Sequence, residues 1–504
     1  MSTGFEGQRR ADLGDGTFRN PVLAGDYPDP TVLKDGEDYY LTYSSFDNAP
    51  GLVIWHSRDL VNWTPVGPAV PNPVGCVFAS DLAKVADRYY LYIPFMPAPW
   101  STLDAPSIFV TWTDDIRGPW AEPVDLGIRG YIDPGHVVGE DGRRYLFLNG
   151  VDRVRLSEDG LATDGPIEHA YDGWPYPDDW VVEAYSLEGP KLFRRGDWFY
   201  LVSAVGGTAG PATGHMITVA RSRSVLGPWQ NDPNSPLIRC TDPAQQWWSR
   251  GHGTLVEGPD GRWWALYHGY ERGYQSLGRQ QLLEPIEWTP DGWPRALGGD
   301  LSSPLPMPAT VADASHGLPL SDDFATPSWG VRWSFDHPLV DELDRADLAG
   351  DGLVLRGKGG SPGESSPLCV HAGDHAYLVE VDLERLDADS AGGLLLFFNP
   401  RLFVGLKLDE TGLTTYSGGV PTWGREPGGD GVSNASIRIE SRHHIVTMWY
   451  CFDGGDWVQH STRFEISGYH ANTMSDLQSV RPAIFASGQG SVRFRNFRYQ
   501  ALED

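Results

Sequence analysis

One phrase is written five times between residues 29 and 266: a polar residue, a short apolar strand, a tight polar turn, then a strand rich in Tyr, Trp or Phe. Asp29-Pro30 leads through Lys34-Asp35-Gly36 to Tyr39-Tyr40-Leu41, and Ser80-Asp81 leads through Ala86-Asp87-Arg88 to Tyr89-Tyr90-Leu91. Asp133-Pro134 leads through Glu140-Asp141-Gly142 to Tyr145-Leu146-Phe147, and Glu188-Gly189-Pro190 leads through Arg194-Arg195-Gly196-Asp197 to the aromatic strand Trp198–Val202. His252-Gly253 leads through Pro259-Asp260-Gly261 to Trp263-Trp264-Ala265-Leu266. Each phrase has the pattern of a β-hairpin, and the turns recur about every 50 to 65 residues, the period of a decorated propeller blade. Five blades that each begin on a polar residue bring those residues to one axis.

The strands Gly51–Trp63, Ile108–Trp112 with Gly118-Pro119-Trp120, and Thr218–Ser222 with Gly227-Pro228-Trp229 repeat as outer strands of the same blades. Leu301 to Gly317 has the Pro, Ser and Ala composition of a connector. Beyond it, short alternating strands such as Tyr377–Val381, Leu402–Leu406 and Ile437–Glu440 predict a β-sandwich without the five-fold repeat. The expected chain is therefore all-β: a five-bladed β-propeller over residues 1–308, a linker over 309–320, and a C-terminal β-sandwich domain over 321–504. Gly 60 and Pro 40 suit that turn-rich architecture, and 504 residues are ample for two cores.

A formal charge of −28 argues against nucleic acid and anionic membrane surfaces, and suits a neutral substrate. No apolar run approaches the roughly 20 residues that cross a bilayer, and the first residues lack the apolar core of a secretory signal, so the expected location is cytoplasmic. Cys76, Cys240, Cys369 and Cys451 are scattered and read as unpaired buried thiols.

Three of the converging positions are carboxylates: Asp29, Asp133 and Glu188. An isolated Asp-Pro is a turn opener, but three carboxylates at equivalent blade positions need a reason to share a cavity. Glycoside hydrolysis gives one. A carboxylic acid protonates the leaving oxygen while a carboxylate activates water, and a third charge keeps the acid protonated near neutral pH. The residues alone leave these roles unassigned. His252, between two glycines, reads as a lone central histidine that holds a cation or a water or hydrogen-bonds a neighbour. No second ligand stands at metal spacing, so direct metal catalysis is not expected. Arg279 is placed to grip sugar hydroxyls or to temper the acidic cluster. Phe46, Trp55, Phe95, Trp100 and Tyr185 are candidates to stack on a sugar ring.

The series resembles glycoside hydrolase family 43. The matching phrases include Asn20 to Thr31, His56 to Trp63, Ile132-Asp133-Pro134, Leu187 to Phe193, Gly206-Gly207-Thr208, Gly214 to Ser222, Gly251-His252-Gly253 and Leu277 to Gln280. The resemblance implies inverting removal of a terminal xylose or arabinose, with Asp29 as general base, Glu188 as general acid and Asp133 orienting the acid and raising its pKa. It also implies that His252 lies beneath the site, sometimes beside a structural divalent cation such as calcium, that Arg279 contacts the sugar, and that no cofactor is required. The sandwich is similar to that of the β-xylosidase branch, where it narrows the pocket. Lys191, where that branch usually carries His, and Val205, where an acidic residue is common, are departures that bear on substrate choice.

The expected function is a β-D-xylosidase on short xylo-oligosaccharides, with α-L-arabinofuranosidase or a bifunctional enzyme as the alternative. A non-catalytic sugar-binding propeller is the rival from another class. The expected partner is a small oligosaccharide, and a homo-oligomer is compatible with the sequence.

Overall fold

The computed structural model describes residues 9–311, 314–348, 350–423 and 428–503. Residues 1–8 of the expected first domain and 312–313 of the expected linker therefore lie outside the described residues. The repeated phrase becomes five antiparallel blades. Blade one runs Thr31–Asp35, Asp38–Thr42, Gly51–Ser57 and Thr64–Val70. Blade two runs Asp81–Val85, Arg88–Met96, Ser107–Thr113 and Val124–Arg129. Blade three runs Gly135–Val138, Arg144–Phe147, Asp152–Arg155 and Glu168–His169. Blade four runs Glu188–Arg195, Trp198–Val205, Met216–Ser222 and Gln230–Asn231. Blade five runs Trp247–Glu257, Trp263–Glu271, Arg279–Trp288 and Pro294–Ala296. The polar turns of the sequence join the first and second strands; the two-residue turns after Asp35 and Arg195 place Gly36 and Gly196 at φ 64° and 60°, the left-handed conformation that tight hairpins require.

What makes these sheets a ring is their side chains. Each inter-blade space holds its own apolar core, with Leu41, Trp264 and Leu283 between blades one and five, and Leu52, Leu91 and Ile93 between one and two. Tyr92, Leu146 and Val154 fill the space between two and three, Phe147, Leu201 and Met216 that between three and four, and Val202, Trp247 and Leu282 that between four and five. Non-directional burial of this kind is the main term holding the blades together. The seam is closed by the segment before blade one. The Asn20 amide donates to the Leu283 carbonyl at 2.9 Å and accepts its N–H at 2.8 Å, and Val22 N–H donates to Gln281 O at 2.8 Å. Thr17–Phe18 then pairs with Leu305–Pro306.

The second region packs two sheets face to face. Ala376–Arg385 shows the period-two logic, with Tyr377, Val379, Val381 and Leu383 buried and the residues between them half-buried, apart from buried Ala376 and Arg385 at its ends. Ser390–Asn399 is buried along its whole length. Leu394 and Leu396 face the opposing sheet, while Leu395 and Phe397 belong to a second cluster on the other face. That face looks toward the propeller, because Arg481, 5.7 Å from the Phe397 ring, bonds Asn48 of blade one.

The two domains are more closely joined than a linker between independent units suggests. Asn48–Ala49 of the propeller pairs with Ser334–Asp336 and so becomes the edge strand of a sandwich sheet. Within the expected linker, Gly317 N–H donates to Trp63 O at 2.7 Å and His316 Nδ1 accepts from Trp63 N–H at 3.2 Å. The sandwich begins at the bridge between Asp322 and Phe497. All four cysteines are free and buried, and among the described residues no helix is long and apolar enough to cross a membrane.

The buried Arg481 guanidinium also donates to Asp336 Oδ1 at 2.8 Å and to Phe398 O at 3.0 Å, which makes it the polar centre of the domain interface. Arg481→Met should destabilise the protein by roughly 3 kcal/mol, the low end for breaking a buried pair, because His337 stays on Asp336. Calorimetry should show an earlier transition, and adding Asp336→Asn should recover most of the loss.

Candidate active site

Asp29 and Asp133 lie two residues before their inner strands, His252 lies two residues before the regular ladder resumes at Thr254 within Trp247–Glu257, and all three share one unusual backbone conformation, φ 56°, 54° and 53°. Positive φ in a non-glycine residue costs on the order of 1–3 kcal/mol and gathers at functional sites. Here it recurs on three blades at the positions the sequence singles out. Glu188 reaches the axis differently. Its strand has a bulge between Glu188 and Lys191, formed by Gly189 and Pro190. A Cβ at Gly189 would stand 2.8 Å from His252 Nε2, so only glycine permits this approach.

The carboxylates differ in their company. Asp29, 7% exposed, accepts from Arg279 Nη1 at 2.9 Å and from Ser44 Oγ at 2.6 Å, while its N–H donates to His268 Nδ1 at 3.0 Å. Burial would raise its carboxyl, but Arg279, then His252 and His268, hold it well below the usual range. Asp133 accepts the Gly189 N–H at 3.0 Å and faces His252 Nε2 at 3.4 Å. Glu188 forms no ion pair among the described residues. Burial first, and the charge of Asp133 second, push it up to about 8 against the pull of His252. One carboxylate is thus held ionised and another is held protonated near neutral pH.

His252 is not the lone histidine of the sequence reading. The rings of His215 and His252 flank that of His268 at 5.3 and 6.0 Å, nearly parallel. His268 Nδ1 accepts the Asp29 N–H, so its Nε2 carries the proton that faces Thr208 Oγ1 at 3.1 Å. Burial lowers His268 to about 4, which keeps that ring neutral, whereas the carboxylates around His252 raise it in spite of burial. His252 Nδ1 and both nitrogens of His215 are buried without a protein partner, a place for water. These residues do not fit direct ligation of a cation: among the described residues no cluster of three His, Cys, Asp or Glu is arranged to hold one.

Glu188 opens into a cavity of about 640 Å³ whose walls come from both domains. The propeller supplies Glu183, Ser186 and Gly207–Gly210, and the sandwich supplies Ala471, Asn472, Ser475, Asp476 and Leu477. Asn472 fastens the two walls, accepting Gly210 N–H at 2.9 Å and donating to Gly210 O at 3.2 Å. Arg279 Nε and Nη2 are buried without a hydrogen-bond partner among the described residues.

The five candidate aromatics separate. Phe46 lies 5.2 Å from the Arg279 guanidinium, but it is buried edge-on against Phe78 and supports Arg279 without lining the cavity. Trp100 donates to Asp47 at 2.8 Å, one residue away from Phe46. Tyr185 is 55% exposed and packs against Tyr176 between the cavity residues Glu183 and Ser186, a place on the rim. Phe95 and Trp55 are corrections to the sequence reading. They are 0% and 1% exposed and pack edge-on to Phe109 and Tyr27, so neither offers a face to a sugar. Strand alternation turned them into the blade cores. Ser44, His268 and the individual residues of the sandwich wall were not singled out from the sequence; the resemblance put the sandwich at the pocket, and its phrases included Thr208 and His215 without giving them a role. The one local signal was a histidine inside the otherwise apolar run Trp263–Tyr267-His268.

The family model of the Glycosyl hydrolases family 43 matches residues 18–294. A curated relative from Bacteroides ovatus, named Non-reducing end alpha-L-arabinofuranosidase BoGH43B, is 29% identical over 350 residues, covering 63% of this chain and 61% of its own length. The chain thus spans less than two thirds of that relative. Xylan 1,3-beta-xylosidase from a Vibrio species is 27% identical over 499 residues, covering 88% of this chain and 90% of the relative. The solved structure of the GH43 BlXynB protein from Bacillus licheniformis superposes with a TM-score of 0.84 at 24% identity, over 96% of this chain and all of that one, which shows the shared fold.

Carboxyl 13C NMR, with Glu188→Gln as the assignment control, should find Glu188 titrating near 8. Asp133→Asn should lower that value by removing the like charge, yet leave it above the ordinary 4.5 because burial is the larger cause.

Proposed function

The chain belongs to glycosyl hydrolases family 43, and from that membership we propose that it is an inverting exo-glycosidase releasing a terminal pentose from short oligosaccharides. The observation that carries this reading is the asymmetry of the carboxyls: Asp29 is pinned as an anion by Arg279, while Glu188 lacks a cation and keeps its proton. Asp29 takes a proton from a water, whose oxygen attacks the anomeric carbon. Glu188 gives its proton to the glycosidic oxygen as that bond breaks on the opposite face. The product anomer is inverted, and the two carboxyls return to their starting states by exchanging one proton through solvent. Asp133 lies beside the acid and, after burial, is the next cause of its high pKa. Arg279 steadies Asp29 and offers its free N–H groups to a sugar hydroxyl.

Xylose is the first reading of the sugar. The Vibrio relative's match covers 88% of this chain and so reaches into the second domain, and that domain walls the cavity. Arabinofuranose is the second reading, favoured by the name of the Bacteroides ovatus relative. A cavity lined from two domains favours action at a chain end over attack within a polymer.

Proton NMR during hydrolysis of 1,3- and 1,4-linked xylobiose and of an arabinofuranosyl-substituted xylotriose tests the proposal. Xylose should appear first as the α-anomer, and Glu188→Gln should lower kcat on xylobiose by about 10²- to 10⁴-fold. Arabinose alone would transfer the protein to the second reading; a retained anomer would overturn the mechanism.

A further inference from the structure

Lys191 lies on the same inner strand as Glu188, three residues further on, and is 4% exposed. A buried ammonium needs its charge and all three of its N–H groups satisfied. Here Nζ donates to Asp81 Oδ1 and to Ser80 O, each at 2.8 Å, and to Pro134 O at 3.3 Å. The acceptors belong to the starts of blades two and three. Asp81 extends the junction, accepting from Thr31 Oγ1 of blade one at 3.2 Å and from the His136 N–H of blade three at 2.8 Å. One ion pair therefore ties together the starts of four blades.

Its position relative to the acid is what matters. Pro134 is the residue after Asp133, and Lys191 follows the Glu188 bulge. The Asp133 carboxylate and the Pro134 carbonyl are both held from the Glu188 strand, one by the Gly189 N–H at 3.0 Å and the other by the Lys191 ammonium. Between these tethers the strands touch so closely that a Cβ on Gly135 would lie 1.9 Å from Pro190 O. We propose that Lys191 is a positioning residue, a resident cation that fixes the distance between Asp133 and Glu188 and thereby sets the protonation of the general acid. The role of Glu188 as acid rests on the reading above; the tether itself does not.

Removing Lys191 alone leaves Asp81 buried and unpaired, which confounds geometry with charge. The charge-neutral double variant Asp81→Asn/Lys191→Met separates them. It should melt close to wild type, yet Glu188 should titrate at least about 0.5 unit lower as Asp133 drifts from it. Because an activated aryl xyloside needs little help from an acid, the loss in kcat/KM should be about tenfold greater on xylobiose than on that substrate. In Asp81→Asn/Lys191→Gln, the amide keeps donors for the Pro134 and Ser80 carbonyls, and both effects should be partly rescued. An unchanged Glu188 titration with equal losses on the two substrates would overturn the proposal and make Lys191 purely structural. If the wild type releases sugar from neither substrate, the functional reading fails, while the NMR titration still decides the tether. If the methionine variant does not fold, the glutamine variant is titrated in its place; a value lowered by less than about 0.5 unit, with the greater loss on xylobiose, supports the tether, and an unchanged value with equal losses on the two substrates counts against it.

Discussion

The propeller depends on neutralising the negative charge that its own symmetry gathers. Repeating a polar residue at the matching place of each inner strand puts acidic groups together in a buried centre, where unpaired charge is costly. The chain meets this pair by pair: Arg279 on Asp29, Lys191 on Asp81, His252 beside Asp133. Glu188 is the member of the set left over. Its elevated pKa is thus a consequence of burial first and of the neighbouring Asp133 charge second, with no ion pair among the described residues to bring it down.

Backbone geometry enforces the same arrangement. The left-handed conformation recurs at Asp29, Asp133 and His252 on the inner strands of blades one, three and five, and the bulge at Gly189-Pro190 gives the fourth blade its own entry. Such strained positions persist only when the surroundings over-determine them. The five inter-blade cores do this, and so do the Asn20 bonds that close the ring. Rigidity of the apolar packing is therefore linked to the chemistry. A blade free to tilt would move its carboxylate relative to the neighbour that sets its charge.

The blades and the three carboxylates were legible in the sequence because the repeat is local: each hairpin carries its polar start, turn and aromatic strand within about 20 residues. What was hidden depends on register between distant segments. Ser44 and His268 reach Asp29 from a loop and from blade five, and nothing near Asp29 in sequence announces them. Trp55 and Phe95 misled for a related reason. Aromatic residues suit both a sugar platform and a blade core, and only the side of the strand decides between them. The connector at 309–320 read as a spacer by composition, yet His316 and Gly317 are bonded to Trp63, which composition cannot express.

The second domain changes what the propeller axis can accept. Alone, the inner-strand ends would lie at the floor of an open face. The sandwich is held against that face by the shared strand at Asn48–Ala49, by Arg481 and by the Asn472 bonds to Gly210. Its contribution to the cavity wall is largely polar, with Asn472, Ser475 and Asp476 opposite the Gly207–Gly210 loop. Asp476 has one oxygen committed to Asn399 at 2.8 Å, and burial raises its pKa. On the function proposed above, the propeller supplies the reacting groups, while part of the cavity wall comes from a domain outside the five-fold repeat. Conserving the axis while varying that wall would alter the choice of substrate without touching the proton transfers. The departure from the five-fold pattern is consequently where specificity has room to change.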